Sequence, residues 1–146
     1  MNPLRHAPTV VRVLLGLTFF VFGLNGFLGF LPQPPMPAAA GAFLGGLAGA
    51  HYFFPLLKAV EVGVGALLLA NRFVPLALTV VAPIIVNIVA FHVFLAPSPV
   101  MVAFLLASEL YLAWVYRAAF RGVLAARNVA AGRAHTDTGR VVAVAK

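Results

Sequence analysis

FVPLALTVVAPIIVNIVAFHVFL, residues 73–95, carries no formal charge and is apolar at almost every position. As a helix rising about 1.5 Å per residue it is long enough to cross the roughly 30 Å hydrocarbon core of a bilayer. It is not isolated: the uncharged run extends 36 residues from Phe73 to Ser108, and another of 45 residues runs from Val13 to Leu57. The whole chain of 146 residues is 63% hydrophobic and only 9% charged, whereas a soluble domain carries about 25% charge. An ordinary water-soluble globule is thereby excluded. The length suits one compact all-α unit of about four membrane spans, an integral membrane four-helix bundle.

Working outward from residues 73–95, Ala96-Pro97-Ser98-Pro99 breaks the helix, and a further span is expected from Val100 to Phe120, with Trp114 and Tyr116 as interfacial aromatics. Pro83 should kink the span that contains it. Upstream, Asn71-Arg72 is a minimal turn, preceded by a span from Pro55 to Ala70. The first span is expected from Thr9 to Leu31, halted by the proline cluster of residues 32–37. Its uncharged run is too long for the core of a secretory signal, so it is expected to stay on the chain.

Between them, AAAGAFLGGLAGAHYFF (residues 38–54) is too short to span and predicts a short extra helix in the first outer loop. Gly41, Gly45 and Gly49 would line one side of it and permit close backbone approach. The single transmembrane domain is expected over residues 1–131, with the last helix running on to about Ala131, followed by a basic disordered tail over 132–146.

Nine of the ten Lys and Arg residues fall on one predicted side: Arg5, Arg12, Arg72, and six from Arg117 onward. The two opposite loops have none, which predicts an inner-membrane protein with both termini cytoplasmic. The dispersed basic residues suit lipid headgroups rather than nucleic acid. Arg12, near a span end, is expected to snorkel to those headgroups.

Apart from Arg12 and Arg117 near the cytoplasmic ends, six amide or ionisable residues lie inside the spans, where such groups are functional-site candidates by default. From the outer span ends, the helical rise places Lys58 and His92 about 4 to 5 Å deep, Asn25 and Glu61 about 9 Å, Asn87 about 12 Å and Glu109 about 14 Å. All four spans contribute, and all six fall in the outer half. They are expected to share one ligand-binding pocket, with Asn25, Glu61, Asn87 and Glu109 facing one another beneath Lys58 and His92. Singly, each has a plainer role: Lys58 and Glu61 can pair at i, i+3, and Asn87 can satisfy groups freed by Pro83. Two carboxylates against one lysine require either a protonated His92 or a neutral carboxyl, the deeper Glu109 being the better choice.

Motifs that name a reaction are absent. With no cysteine, thiol-disulfide chemistry and Cys-ligated clusters are excluded. No metal-ligand spacing appears, GAFLGGLAGA lacks the Lys and Ser/Thr of a phosphate loop, and haem through His51 and His92 is conceivable but not expected. No catalytic residue is assigned, and no pair of discontinuous helices of the transporter kind is evident.

Arg12 with LLGLTFFVFGLNG, AFLGGL before the second span, KAVEVGVGALLLANRFVPLAL across the following turn, and PIIVNIVAFHVFLAP closing the third span together resemble the DoxX-like family of small four-helix membrane proteins. The resemblance covers about Arg12 to Tyr116. It implies a four-helix bundle, an association with redox biology, and Glu61, Asn87 and His92 as signature positions. The family also includes an assembly chaperone, so the resemblance fixes no reaction.

Two classes of function follow. In the first, a redox-linked membrane subunit binds a quinone or other small apolar molecule in the outer-half pocket. In the second, a non-enzymatic partner assembles or anchors another protein, or a second copy of itself.

Overall fold

The computed structural model describes residues 6–32 and 35–121. The predicted tail over 132–146, and the predicted continuation of the last helix to Ala131, lie outside them. All regular structure among the described residues is helical, in the order α1 (Ala7–Leu28), α2 (Ala38–Gly49), α3 (Phe53–Leu69), α4 (Val74–Phe94), α5 (Pro99–Val115) and α6 (Arg117–Phe120).

Two helices, α1 and α4, are each long and apolar enough to cross a membrane. Helices α2 and α3 reach that standard only together, and they are bent by 95° at the break between them. Helix α5 is apolar but has 17 residues. By length and composition, two helices, or three if the bent pair is one span, are long and apolar enough to cross a membrane. The short extra helix expected within residues 38–54 is present as α2, and the 95° bend sets it across α3 rather than in line with it.

Each difference in boundary has a local cause. Helix α1 stops before the proline cluster because Gly29 adopts a left-handed φ of 61° and returns its N–H to the Asn25 carbonyl at 2.8 Å, a glycine C-terminal cap. Helix α5 does not run on to Phe120. Tyr116 leaves helical geometry at ψ 11°, and only the four-residue α6 follows. Helix α4 continues through Pro83.

Helix α1 packs chiefly against α3 and also meets α5, while α4 meets both α3 and α5. The core these four enclose is apolar and, but for Phe19, aliphatic: Leu15 and Phe19 from α1, Val64 and Leu68 from α3, Ala77, Leu78, Val81 and Ile85 from α4, Leu105 and Leu112 from α5. The outward faces are apolar too, with Leu14, Leu17, Phe22, Leu76, Val86, Val93, Leu110 and Trp114 exposed. Contiguous exposure of this kind is rare on soluble monomers and marks a surface made for lipid or another apolar partner.

The α1–α3 contact is backbone against backbone. A Cβ on Gly65 would lie 2.5 Å from the Phe20 nitrogen and 2.8 Å from the Gly16 carbonyl oxygen, and one on Gly23 would lie 2.9 Å from the Val62 nitrogen. The close approach predicted for Gly41, Gly45 and Gly49 does not occur there. A Cβ at any of the three would meet open space, because α2 turns that side away from the other helices. Close packing by small residues belongs instead to α1 and α3.

Arg12 departs from the snorkelling expected of it. It is 7% exposed and donates through Nη1 to the carbonyls of Leu68 and, at 3.3 Å, Leu69. The last carbonyls of α3 have no intrahelical donors and form the negative end of its dipole. Backbone N–H groups of residues 70–72 serve Ala66, Leu67 and Leu68, and the guanidinium adds a second donor at Leu68 and the donor at Leu69.

Candidate functional site

A cavity of about 510 Å³ lies among α1, α2, α3, α4 and α5, within the volume range of small-molecule sites. Its walls are mostly aromatic and aliphatic: Phe19 and Phe22 from α1, Phe43, Leu44 and Leu47 from α2, Phe53, Phe54 and Leu57 at the start of α3, Ile84 and Phe91 from α4, Leu105 from α5. The Phe43 and Phe91 rings meet at 6.0 Å between centroids, so α2 closes over the cavity by an aromatic contact with α4.

Four of the six predicted site residues reach this cavity: Lys58 and Glu61 from α3, Asn87 and His92 from α4. Lys58 Nζ donates to Glu61 Oε2 at 2.7 Å, with the Glu61 side chain only 4% exposed against 22% for Lys58. The carboxylate is thus the buried member of the pair and the lysine the more exposed one. The stem of Lys58 runs over Gly26 of α1, where a Cβ would collide with its methylenes. His92 Nδ1 lies 2.9 Å from the Ala96 carbonyl oxygen. A carbonyl only accepts, so Nδ1 carries the proton and Nε2 is the nitrogen left for other chemistry. His51 is elsewhere, exposed in the α2–α3 turn with its Nδ1 on the Gly49 carbonyl at 2.6 Å.

Asn25 and Glu109 do not line this cavity. Asn25 is buried, and its Oδ1 accepts from the Leu31 N–H at 2.6 Å while its carbonyl takes Gly29. It holds together the exit from α1. The signal for that role is Gly29, four residues on, whose capping meaning is readable in sequence.

Glu109 lines a second cavity of about 370 Å³, with Leu78, Thr79 and Ala82 of α4, Ala113 of α5, and Arg117 and Phe120 of α6. The depth expected of Glu109 from the outer end stands, but its assignment to the outer half rested on a span running to Phe120. Because α5 stops at Val115, Glu109 lies only about 9 Å from that end and about 15 Å from the Pro99 end. It accordingly sits on the half of α4 that starts at Val74, away from Asn87 and His92.

The larger cavity therefore offers an apolar volume lined by the paired Lys58 ammonium and Glu61 carboxylate, the Asn87 amide and one imidazole. Such an arrangement suits a flat, apolar molecule bearing an oxygen acceptor. Among the described residues, no group of three or more His, Cys, Asp or Glu side chains is placed to hold a metal ion. No protein-family model, curated protein or solved structure matches the chain.

Proposed function

We propose that this chain is a DoxX-like inner-membrane protein of four spans with both termini cytoplasmic, in which the larger cavity binds a quinone or a similar lipid-soluble carbonyl compound as part of a redox-linked membrane subunit. The observation that carries the reading is the cavity itself: about 510 Å³, aromatic-walled, with a Lys58–Glu61 pair whose carboxylate is buried, Asn87 and His92 on its lining. Polar groups inside a membrane protein are costly unless used, and these converge from two helices on one apolar space. Supporting the four-span reading, α3 and α5 at 17 residues each reach about 25 Å, which a modest thinning of the bilayer accommodates.

On this reading Glu61 holds the Lys58 ammonium in position, and the ammonium donates to the ligand carbonyl. His92, fixed by Ala96, can supply or take a proton at Nε2 as the oxygen changes charge. Quinones dissolve in the bilayer, so entry between helices beside α2 suffices.

The test is binding of decylubiquinone to the detergent-purified full chain, with mass spectrometry of whatever small molecules remain bound after gentle extraction. Wild type should retain the quinone, and Glu61→Gln should weaken binding at least about tenfold (about 1.4 kcal/mol) while keeping its helical circular dichroism. Undiminished binding in Glu61→Gln would remove the carboxylate from the site. An empty cavity together with a stoichiometric co-purifying protein would instead favour the assembly role.

A further inference from the structure

Lys58 and Glu61 each lie against a glycine of α1. A Cβ on Gly23 would come 3.1 Å from the Glu61 Cβ, and one on Gly26 would come 2.6 Å from the Lys58 Cδ and 3.1 Å from its Cε. The two glycines differ in what else faces them. Gly23 also meets the Val62 nitrogen, which a Cβ would approach to 2.9 Å, so it serves the close approach of two helix backbones. At Gly26 the three nearest atoms all belong to the Lys58 side chain.

No backbone requirement explains a glycine at position 26. Among the described residues only Gly29 is a glycine of positive φ, so Gly26 has ordinary helical geometry within α1, where alanine is the better helix former. What its missing side chain leaves room for is the stem of Lys58. That stem is a flexible four-carbon chain, and a lysine near a span end ordinarily snorkels toward headgroups and water. Lys58 instead gives its Nζ to Glu61 Oε2 at 2.7 Å, one turn further along α3. An ammonium carries three donors, so this pairing leaves two of them for another acceptor at the cavity.

We propose that Gly26 is a positioning residue of the larger cavity: by lacking a side chain it lets the Lys58 stem lie against α1, which holds the ammonium on Glu61 at the cavity wall instead of out among headgroups. Gly26 is itself exposed, so the stem lies at the open edge of the α1–α3 contact, and an added methyl can push it aside without parting the helices. Such a change costs position rather than fold. It leaves the Glu61 carboxylate without its partner and takes a donor away from the ligand oxygen. The consequence for the ligand rests on the quinone reading; the placing of Lys58 by Gly26 does not.

Acylation of the full chain in detergent by acetic anhydride, read by mass spectrometry, reports how accessible the Lys58 amine is, with Lys146, the other lysine of the chain, as internal reference. Lys58 should react several-fold faster in Gly26→Ala than in wild type, with helical circular dichroism unchanged. Gly45→Ala, whose new methyl meets open space, should leave the rate as it is. Decylubiquinone affinity should fall about tenfold (about 1.4 kcal/mol) in Gly26→Ala. In a Lys58→Ala background the same substitution should cost no further affinity and no melting temperature, the mark of a residue that acts through another. An unchanged Lys58 rate in Gly26→Ala, even beside a lower melting temperature, would overturn the proposal and leave Gly26 a structural glycine. So would a full additional loss of affinity in the Lys58→Ala background. A loss of fold that persists in that background would also overturn it, since the methyl would then be meeting something other than Lys58. If wild type binds no quinone, the quinone reading fails, while the labelling rates still decide whether Gly26 places Lys58.

Discussion

Arg12 shows how much one residue's setting changes its meaning. In sequence it is a cation near a span end, where reaching out to headgroups costs little. In the fold it points inward and takes the carbonyls of Leu68 and Leu69 at the end of α3, the first of which also accepts from the Asn71 N–H at 3.2 Å. Replacing it by Leu keeps the apolar stem and removes the donors. Hydrogen bonds from charged groups are worth about 1.5 to 3 kcal/mol each way of counting, so Arg12→Leu should destabilise by about 2 to 3 kcal/mol, with Arg12→Lys losing less. Unfolding of the detergent-solubilised chain, followed by the fluorescence of its single tryptophan, Trp114, measures both. Equal stability of Arg12→Leu and wild type would return Arg12 to the surface role. Asn25 makes the complementary point. Its polarity inside a span marks it as a ligand candidate, yet its amide secures the chain at Leu31, and only the partner decides between the two roles.

At the scale of the element, the glycines divide by what faces them. A repeat of every fourth residue is strongest in α2, at Gly41, Gly45 and Gly49, but those positions meet nothing. Gly65 of α3, less conspicuous in sequence, faces the backbone of α1 at Phe20 and Gly16. A methyl group there cannot be absorbed by a flexible side chain, so the helices must separate. Gly65→Ala is expected to lower stability by about 1 to 3 kcal/mol, the usual cost of overpacking. Gly45→Ala should be neutral or stabilising by up to about 1 kcal/mol, since alanine is the better helix former. Thermal unfolding of the two variants side by side checks the contrast, and equal losses would mean that α1 and α3 do not touch at Gly65. Helix ends follow the same logic. Gly29 marks the end of α1 in sequence by a known capping rule, whereas nothing in the run LYLAWVYRAAF (residues 110–120) announces that helical geometry breaks at Tyr116.

For the molecule as a whole, the asymmetry of basic residues in the loops sets an expected orientation that can be tested directly, because the chain has no cysteine of its own. Single cysteines at Met36 and Pro97 should react with an impermeant maleimide in intact cells. Cysteines at Ala70 and Thr138 should react only after permeabilisation. The reverse pattern would turn the protein over in the membrane and place the larger cavity toward the cytoplasm.

The all-helical class and the membrane-scale apolar runs were legible in sequence because both follow from local properties: hydropathy summed along a segment, and prolines and glycines that stop helices. The pairing of Lys58 with Glu61 was legible for the same reason, being a contact between residues three apart on one helix. Depth along a span was only partly legible. It gathered Lys58, Glu61, Asn87 and His92 at one cavity, but the division into halves depends on knowing where each helix ends, and with α5 ending at Val115 Glu109 falls past its midpoint and lines a different cavity. Rotation about the helix axis was not legible at all. Which side of α2 stays bare, which glycines meet a backbone, and whether Arg12 turns out to lipid or in to α3 are decided by how neighbouring helices pack. An apolar face in a membrane protein looks much the same in sequence whether it meets lipid or another helix, since both surroundings are equally apolar.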